Sequence, residues 1–156
     1  MNTKPLVLFI GNYLYSDDKI GIIVGEKLKN KLINEGVDVE IMEKMGYSLI
    51  DVISNREIVI IVDSVKSSKW EIGEVMLLNI DEVDMYTPRS PHYSGLPEML
   101  KLMKSLELGM PMKIYVIGIE VKDPYTISEN LTPELVSKLD EIINKVYKMI
   151  RDILKI

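Results

Sequence analysis

Leu6-Val7-Leu8-Phe9-Ile10-Gly11-Asn12-Tyr13-Leu14-Tyr15-Ser16-Asp17-Asp18-Lys19-Ile20-Gly21 changes character twice. Leu6 to Ile10 is apolar without a break, the pattern of a strand covered on both faces. Gly11-Asn12 stops the run, and a short polar loop follows. From Ile20 the period becomes helical: Ile20, Ile23, Val24, Leu28 and Leu32 share one face, with Lys27, Lys29 and Lys31 elsewhere. Ser16 or Asp17 is placed to cap this helix, since a side-chain oxygen there can accept from its first unpaired N–H groups. Gly36 suits its end. Strand, loop, helix is therefore the opening unit.

The same alternation continues. Val37, Val39 and Ile41 are interleaved with Asp38 and Glu40, which predicts a second strand. A short helix is expected over Ser48–Ile53. Ile58-Val59-Ile60-Ile61-Val62 is a run of β-branched residues, a strand ending at Asp63. Strand, helix, strand, helix, strand implies right-handed crossovers and a parallel sheet. Ser64 to Gly73 is a polar loop holding the single tryptophan, Trp70. Glu74 to Ile80 reads as a strand whose connection is too short for a helical crossover, so it should lie antiparallel at an edge. Asp81 to Pro91 is expected to be irregular, broken by Pro88 and Pro91. Ser94 can cap a helix carrying Leu96, Met99, Leu100 and Met103, and Lys113 to Ile119 supplies a fifth strand. Thr132-Pro133 opens a last helix, proline standing where no N–H is needed, and Leu135, Leu139, Ile142, Val146, Ile150 and Ile153 hold its face. The expectation is one α/β domain over residues 1–156: three layers, a twisted, mostly parallel sheet of five strands, and helices on both faces.

Composition narrows the function. Hydrophobic residues make up 47% of the 156, enough for a substantial core. The net charge of −5 argues against nucleic acid as a partner. The absence of cysteine removes disulfides, iron–sulfur clusters and thiolate zinc sites, and suits a cytoplasmic location. No apolar run approaches a membrane span, and Lys4 with the short run Pro5 to Ile10 does not form a secretory leader. The ten methionines are scattered without ligand spacing and read as core filler.

Chemistry is expected at the carboxyl ends of the strands. Strand one runs into Gly11-Asn12 and the pair Asp17-Asp18, and strand three ends at Asp63. The only histidine, His92, sits in Ser90-Pro91-His92-Tyr93-Ser94-Gly95, ahead of a helix. Two carboxylates and an imidazole meeting at one edge would make an O,O,N donor set suited to nickel, zinc or another borderline divalent ion. Each residue also has an ordinary structural reading. The acids at 17 and 18 favour the positive end of a helix dipole. Asp63 can close a turn, and so can Asn12. A lone histidine is commonly structural, and Tyr13, Tyr15, Trp70 and Tyr93 are either rim contacts for a partner or ordinary exposed aromatics. Neither G-x-G-x-x-G nor the phosphate loop ending in Gly-Lys-Ser/Thr follows Gly11, and there is no G-x-S-x-G elbow or H-E-x-x-H helix.

Several segments together resemble the hydrogenase maturation endopeptidases, which process the large subunit of nickel–iron hydrogenases. They are Ile10-Gly11-Asn12-x-Leu14-x-x-Asp17-Asp18-x-x-Gly21, Val62-Asp63-Ser64-Val65, Gly73-Glu74-Val75, Ser90-Pro91-His92-x-x-Gly95-Leu96, Val116-Ile117-Gly118-Ile119-Glu120 and Leu131-Thr132. They occur in the family's order over nearly the whole chain. The resemblance implies an aspartyl-endopeptidase-like hydrolase whose metal-contacting and catalytic positions fall on Asp18, Asp63 and His92. Asp18 is preferred to Asp17 because the family's ligand is the second acid of the pair. It further implies a hydrogenase large-subunit precursor as partner, with nickel supplied by that substrate and a C-terminal extension as the part removed. Two departures stand out: Glu43-Lys44-Met45-Gly46-Tyr47 replaces an Asp-Gly-Gly-Thr/Ser-like loop, and Val121 stands where a proline is frequent. The competing classes are a non-catalytic, metal-dependent chaperone of the same precursor and a nucleotide-binding α/β domain.

Overall fold

The computed structural model describes residues 2–43, 48–86 and 96–156, without the side chain of Asp84. The chain runs β1 (Leu6–Gly11), α1 (Ile20–Asn34), β2 (Asp38–Glu43), α2 (Ser48–Ile53), β3 (Ile58–Val65), β4 (Val75–Leu78), α3 (Val83–Tyr86), α4 (Leu96–Ser105), β5 (Lys113–Glu120), α5 (Pro133–Ser137) and α6 (Leu139–Leu154). Single 3-10 turns at Asp17–Lys19 and Ile80–Glu82 lead into α1 and α3. Strand order is β2-β1-β3-β5-β4. The first four of these are mutually parallel, and β4 closes one edge antiparallel to β5. Among the described residues no helix is long and apolar enough to cross a membrane.

Strand alternation sorts the core into two layers. Val7, Phe9, Ile60, Val62, Ile117 and Ile119 pack with Ile20, Val24 and Leu28 of α1 and Ile142, Val146 and Ile150 of α6. Leu6, Leu8, Ile10, Val59, Ile61 and Val116 pack with Leu49 and Ile53 of α2 and Leu96, Met99 and Met103 of α4. This period of two, with both faces buried, is why β1 and β3 read as unbroken apolar runs. Helix α1 lies very close to the sheet. A Cβ on Gly21 would stand 2.1 Å from the Ile10 carbonyl oxygen, so no side chain fits there. The helix ends in paired backbone bonds, Gly36 N–H to Ile33 O and Val37 N–H to Leu32 O, with Gly36 at φ +87°. That is the αL glycine closure expected from its position.

Several expectations need correction. Neither Ser16 nor Asp17 caps the helix entrance; their side chains bond to a distant loop instead. β3 continues past Asp63 to Val65, because Asp63, Ser64 and Val65 stay in register with Gly118, Ile119 and Glu120 of β5. The ladder's hydrogen bonds do not depend on the polarity of the side chains. The residues from Ile80 to Tyr86 are helical rather than irregular. The last helix is two, divided at Lys138, whose φ of −106° breaks the αR path. Trp70 is a packing residue, edge-on to Tyr86 at 5.7 Å between centroids and set against the second core layer. Met99 and Met103 fill the core as expected, but Met85 and Met112 are exposed. His92, Tyr93, Ser94, Gly46, Pro88 and Pro91 lie outside the described residues.

Candidate functional site

The strand order reverses between β1 and β3: the chain leaves β1 for β2 on one side and continues from β3 toward β5 on the other. In open α/β sheets such a switch point opens a crevice at the carboxyl ends. The loop after β1 and the end of β3 flank it. Seven polar or charged residues are buried among the described residues: Ser16, Asp17, Asp18, Lys19, Asp63, Ser64 and Glu120. Every one of them lies at the carboxyl end of β1, β3 or β5. Buried polar groups are costly unless paired, so their gathering at one end is the chief anomaly of the structure.

Asp18 and Asp63 meet through Ser64. The Ser64 hydroxyl donates to Asp18 Oδ1 at 2.5 Å, and the Ser64 amide donates to Asp63 Oδ1 at 2.8 Å. Strand alternation explains how one residue reaches both. Ser64 follows Ile60 and Val62 on the α1 face, while Asp63 follows Val59 and Ile61 on the face that carries α4. Asp18 is 4% and Asp63 1% exposed, so both carboxylates sit where electrostatic interactions are strong. The third predicted position, His92, falls outside the described residues. Among those residues no group of three His, Cys, Asp or Glu side chains is placed to hold a metal ion.

Asp17 does different work. Its carboxylate accepts from the amides of Lys122 (3.0 Å), Asp123 (2.8 Å) and Thr132 (2.8 Å) and from the Thr132 hydroxyl (2.9 and 3.0 Å). It thus clamps the loop after β1 to the loop between β5 and α5. Three further bonds run between these loops: Ser16 N–H to Thr126 O, Asp17 N–H to Asp123 O and Ser128 N–H to Leu14 O. The Ser16 hydroxyl reaches Asn130 O at 2.7 Å, and the buried Lys19 ammonium donates to Ser128 O at 2.6 Å. Asp123 braces its own loop. The Thr126 hydroxyl, with the amides of Tyr125 and Thr126, holds its carboxyl below the usual carboxylate range. Glu120 accepts from the Ser67 amide and hydroxyl and fastens the start of the β3–β4 connection.

Sequence reasoning missed Ser64, Thr132, Lys19 and Glu120 as site-building residues. Ser64, Glu120 and Thr132 stand inside matched motifs, which was their only signal; Lys19 had none. Asn12 forms the anticipated Asx turn, its Oδ1 accepting from the Leu14 amide at 3.0 Å. The amides of Asn12, Leu14, Ser16 and Asp17 all bond within the protein. Such a loop does not present the converging free N–H groups by which a phosphate is cradled. Val121, at the place of the frequent proline, uses its N–H to reach Val65 O at 3.0 Å and prolongs the β3–β5 ladder.

A family model described as HycI, hydrogenase maturation protease, matches residues 22–152. The hydrogenase 2 maturation protease of Escherichia coli K12 is 30% identical over 155 residues, covering 96% of this chain and 92% of that protein. The structure of the E. coli hydrogenase maturating endopeptidase HybD superposes with a TM-score of 0.74 at 25% identity, covering 96% of this chain and 93% of that one. The [NiFe] hydrogenase maturation protease HycI of Thermococcus kodakarensis gives a TM-score of 0.66 at 26% identity, over 99% and 94% of the two chains. The likeness is full-length in both sequence and fold: this chain belongs to the hydrogenase maturation protease family and is a hydrolase, an endopeptidase.

Proposed function

We propose that this endopeptidase removes the C-terminal extension of a [NiFe]-hydrogenase large-subunit precursor already loaded with nickel, and that Asp18, Asp63 and His92 contact the metal at the cleavage region. The observation that carries the reading is the joining of two buried carboxylates through Ser64 at the switch point of the sheet. Carboxylate oxygens completed by one imidazole suit a borderline divalent ion better than calcium or magnesium. Nickel is cargo of the substrate in this account. Its chemistry at the scissile bond would be Lewis-acid polarisation of the carbonyl or of an attacking water.

The chain supplies the rest. Ser64 fixes the orientation of both carboxylates, so little reorganisation is needed when the precursor arrives. A carboxylate oxygen within hydrogen-bond reach of the water serves as base. Asp17 keeps the loop carrying Asp18 in place without facing the reaction, since its oxygens are taken by Lys122, Asp123 and Thr132.

The test is a cleavage assay on nickel-loaded precursor, read by mass spectrometry of its C-terminus. Wild type should release the extension, and His92→Ala and Asp63→Asn should slow release by roughly 100-fold or more. Unchanged cleavage in both variants would overturn the site assignment. Tight binding of the loaded precursor by the wild-type protein with no change in its mass would favour a metal-dependent chaperone.

A further inference from the structure

Asp63 stands on an overhang. β1 pairs with β3 only as far as Phe9 and Val62. Beyond that point, among the described residues, Asp63, Ser64 and Val65 are laddered on one side alone, to Gly118, Ile119 and Glu120 of β5. The backbone beneath Asp63 therefore depends on β5 and on the chain that follows Val65. That chain turns at once. The Lys66 amide reaches Tyr86 O at 2.8 Å, and Ser68 lies at φ +62°, a left-handed conformation that side chains disfavour. Glu120 fastens this turn. The Ser67 N–H donates to its two carboxylate oxygens at 3.1 and 3.3 Å, and the Ser67 hydroxyl donates to the same carboxylate. That hydroxyl also accepts from the Lys69 amide at 3.0 Å, which carries the hold past Ser68. The Glu120 backbone is fixed in turn, its N–H to Glu74 O at 2.9 Å and its carbonyl from Gly73 N–H at 2.8 Å.

We infer that Glu120 is a positioning residue for the cleavage reaction: by holding Ser67 it fixes the one-sided end of β3, and with it the aim of the Asp63 carboxylate. This rests on the proposed role of Asp63. Alternation places the two acids together. Val116 packs in the layer with α4, and Ile117 and Ile119 in the other, so Glu120 shares the α4 face with Asp63 and Val65. Glu120 is only 1% exposed, and a buried carboxylate is a costly means of holding one serine of a half-buried turn. The cost is intelligible when what is held is the strand end that carries a reacting group, since small displacements of such a group slow chemistry strongly. With its oxygens engaged by Ser67, Glu120 acts through the strand and not on the substrate.

The experiment follows cleavage of nickel-loaded precursor by mass spectrometry, well below the melting temperature of every variant. Glu120→Ala should lower kcat roughly tenfold with KM unchanged, and Glu120→Gln, which keeps an acceptor for Ser67, should recover most of the loss. Ser67→Ala, at a half-buried position, should lower kcat by a smaller factor. In an Asp63→Asn background Glu120→Ala should add no further loss, because both changes act through one carboxylate. Hydrogen exchange gives a readout apart from activity. The Ser64 amide, bonded to Asp63 Oδ1, should lose protection in Glu120→Ala while the amides of β1 keep theirs. Wild-type kcat in both Glu120→Ala and Ser67→Ala overturns the inference. So does an equal loss from Glu120→Ala in the wild-type and Asp63→Asn backgrounds, which would make Glu120 a brace unconnected with Asp63. Should Glu120→Ala not fold, the same cycle with Ser67→Ala decides the matter. The site assignment fails by a different result, wild-type cleavage by Asp63→Asn itself.

Discussion

The two ends of the sheet are built on different principles. At the amino-terminal end, charges stay near water. Arg56 meets Asp38 at 2.5 Å, and Lys4 lies 3.3 Å from the same carboxylate, all partly exposed. The connections there are closed by ordinary backbone bonds such as Asn55 N–H to Gly109 O and Lys113 N–H to Glu57 O. Exposed ion pairs of this kind contribute at most about 1 kcal/mol. At the carboxyl end, three aspartates, a glutamate and a lysine are buried, and buried side chains join the loops alongside the backbone bonds. A fold seeking only stability would not bury so many carboxylates at one end. The contrast separates two groups within the buried set: Asp17 and Glu120 hold loops, while Asp18 and Asp63, linked through Ser64, are the carboxylates proposed for the chemistry.

The comparison breaks most easily at Asp17. Asp17→Ala would leave the amides of Lys122, Asp123 and Thr132 without their acceptor, at a cost of about 3 kcal/mol or more. For a chain of this size thermal unfolding should fall by roughly 6–12 °C, measurable by calorimetry. A fall no larger than that of an exposed surface substitution would show that the clamp is not structural. Ser64→Ala sharpens the distinction from the other side. It should reduce cleavage roughly 10- to 100-fold by releasing the Asp18 carboxylate, with only a small change in melting temperature and with recovery in Ser64→Thr. A large melting shift without a change in kcat would move Ser64 to the structural group.

The smallest effect is on pH. Hydrogen bonds to the Thr126 hydroxyl and to the Tyr125 and Thr126 amides lower the Asp123 carboxyl, and the Arg56 hydrogen bond lowers Asp38. A carboxyl depressed in the folded state contributes stability that is present above its unfolded value. That contribution disappears as pH falls through the folded value. Both contributions should therefore be full in the neutral range and be lost only as pH falls from the ordinary carboxylate value through the lower folded one. Amide exchange at Tyr125 and Thr126 should accelerate there; protection unchanged through that acid range would contradict the role of Asp123.

The fold was legible because periodicity is local. The apolar runs at Leu6 and Ile58, the helical stripe from Ile20 and the short Ser64–Gly73 connection together specified a parallel sheet with an antiparallel edge. The glycine at 36 ended α1 for the reason its position suggested. What escaped notice depends on distant partners. Asp17 looked like a helix cap because the sequence places it at a helix start, yet its donors lie more than a hundred residues away at Lys122, Asp123 and Thr132. Ser64 looked like the first residue of a loop because it is polar, yet β5 keeps it in the ladder opposite Ile119. The break at Lys138 was hidden because the apolar face of the last helices continues across it. For the site, the aspartates could be nominated by their place at strand ends, but choosing Asp18 over Asp17 rested on resemblance. The hydrogen bonds of Asp17 to the loop between β5 and α5 support that choice as part of the proposal and do not test it.

The central claim is that Asp18 is held for chemistry while its neighbour Asp17 is held for structure. The most direct measurement is the single-turnover rate of extension release from nickel-loaded precursor by Asp18→Asn. The account predicts a rate lower than that of the wild type by roughly 100-fold or more; a rate within a few-fold of wild type would contradict it.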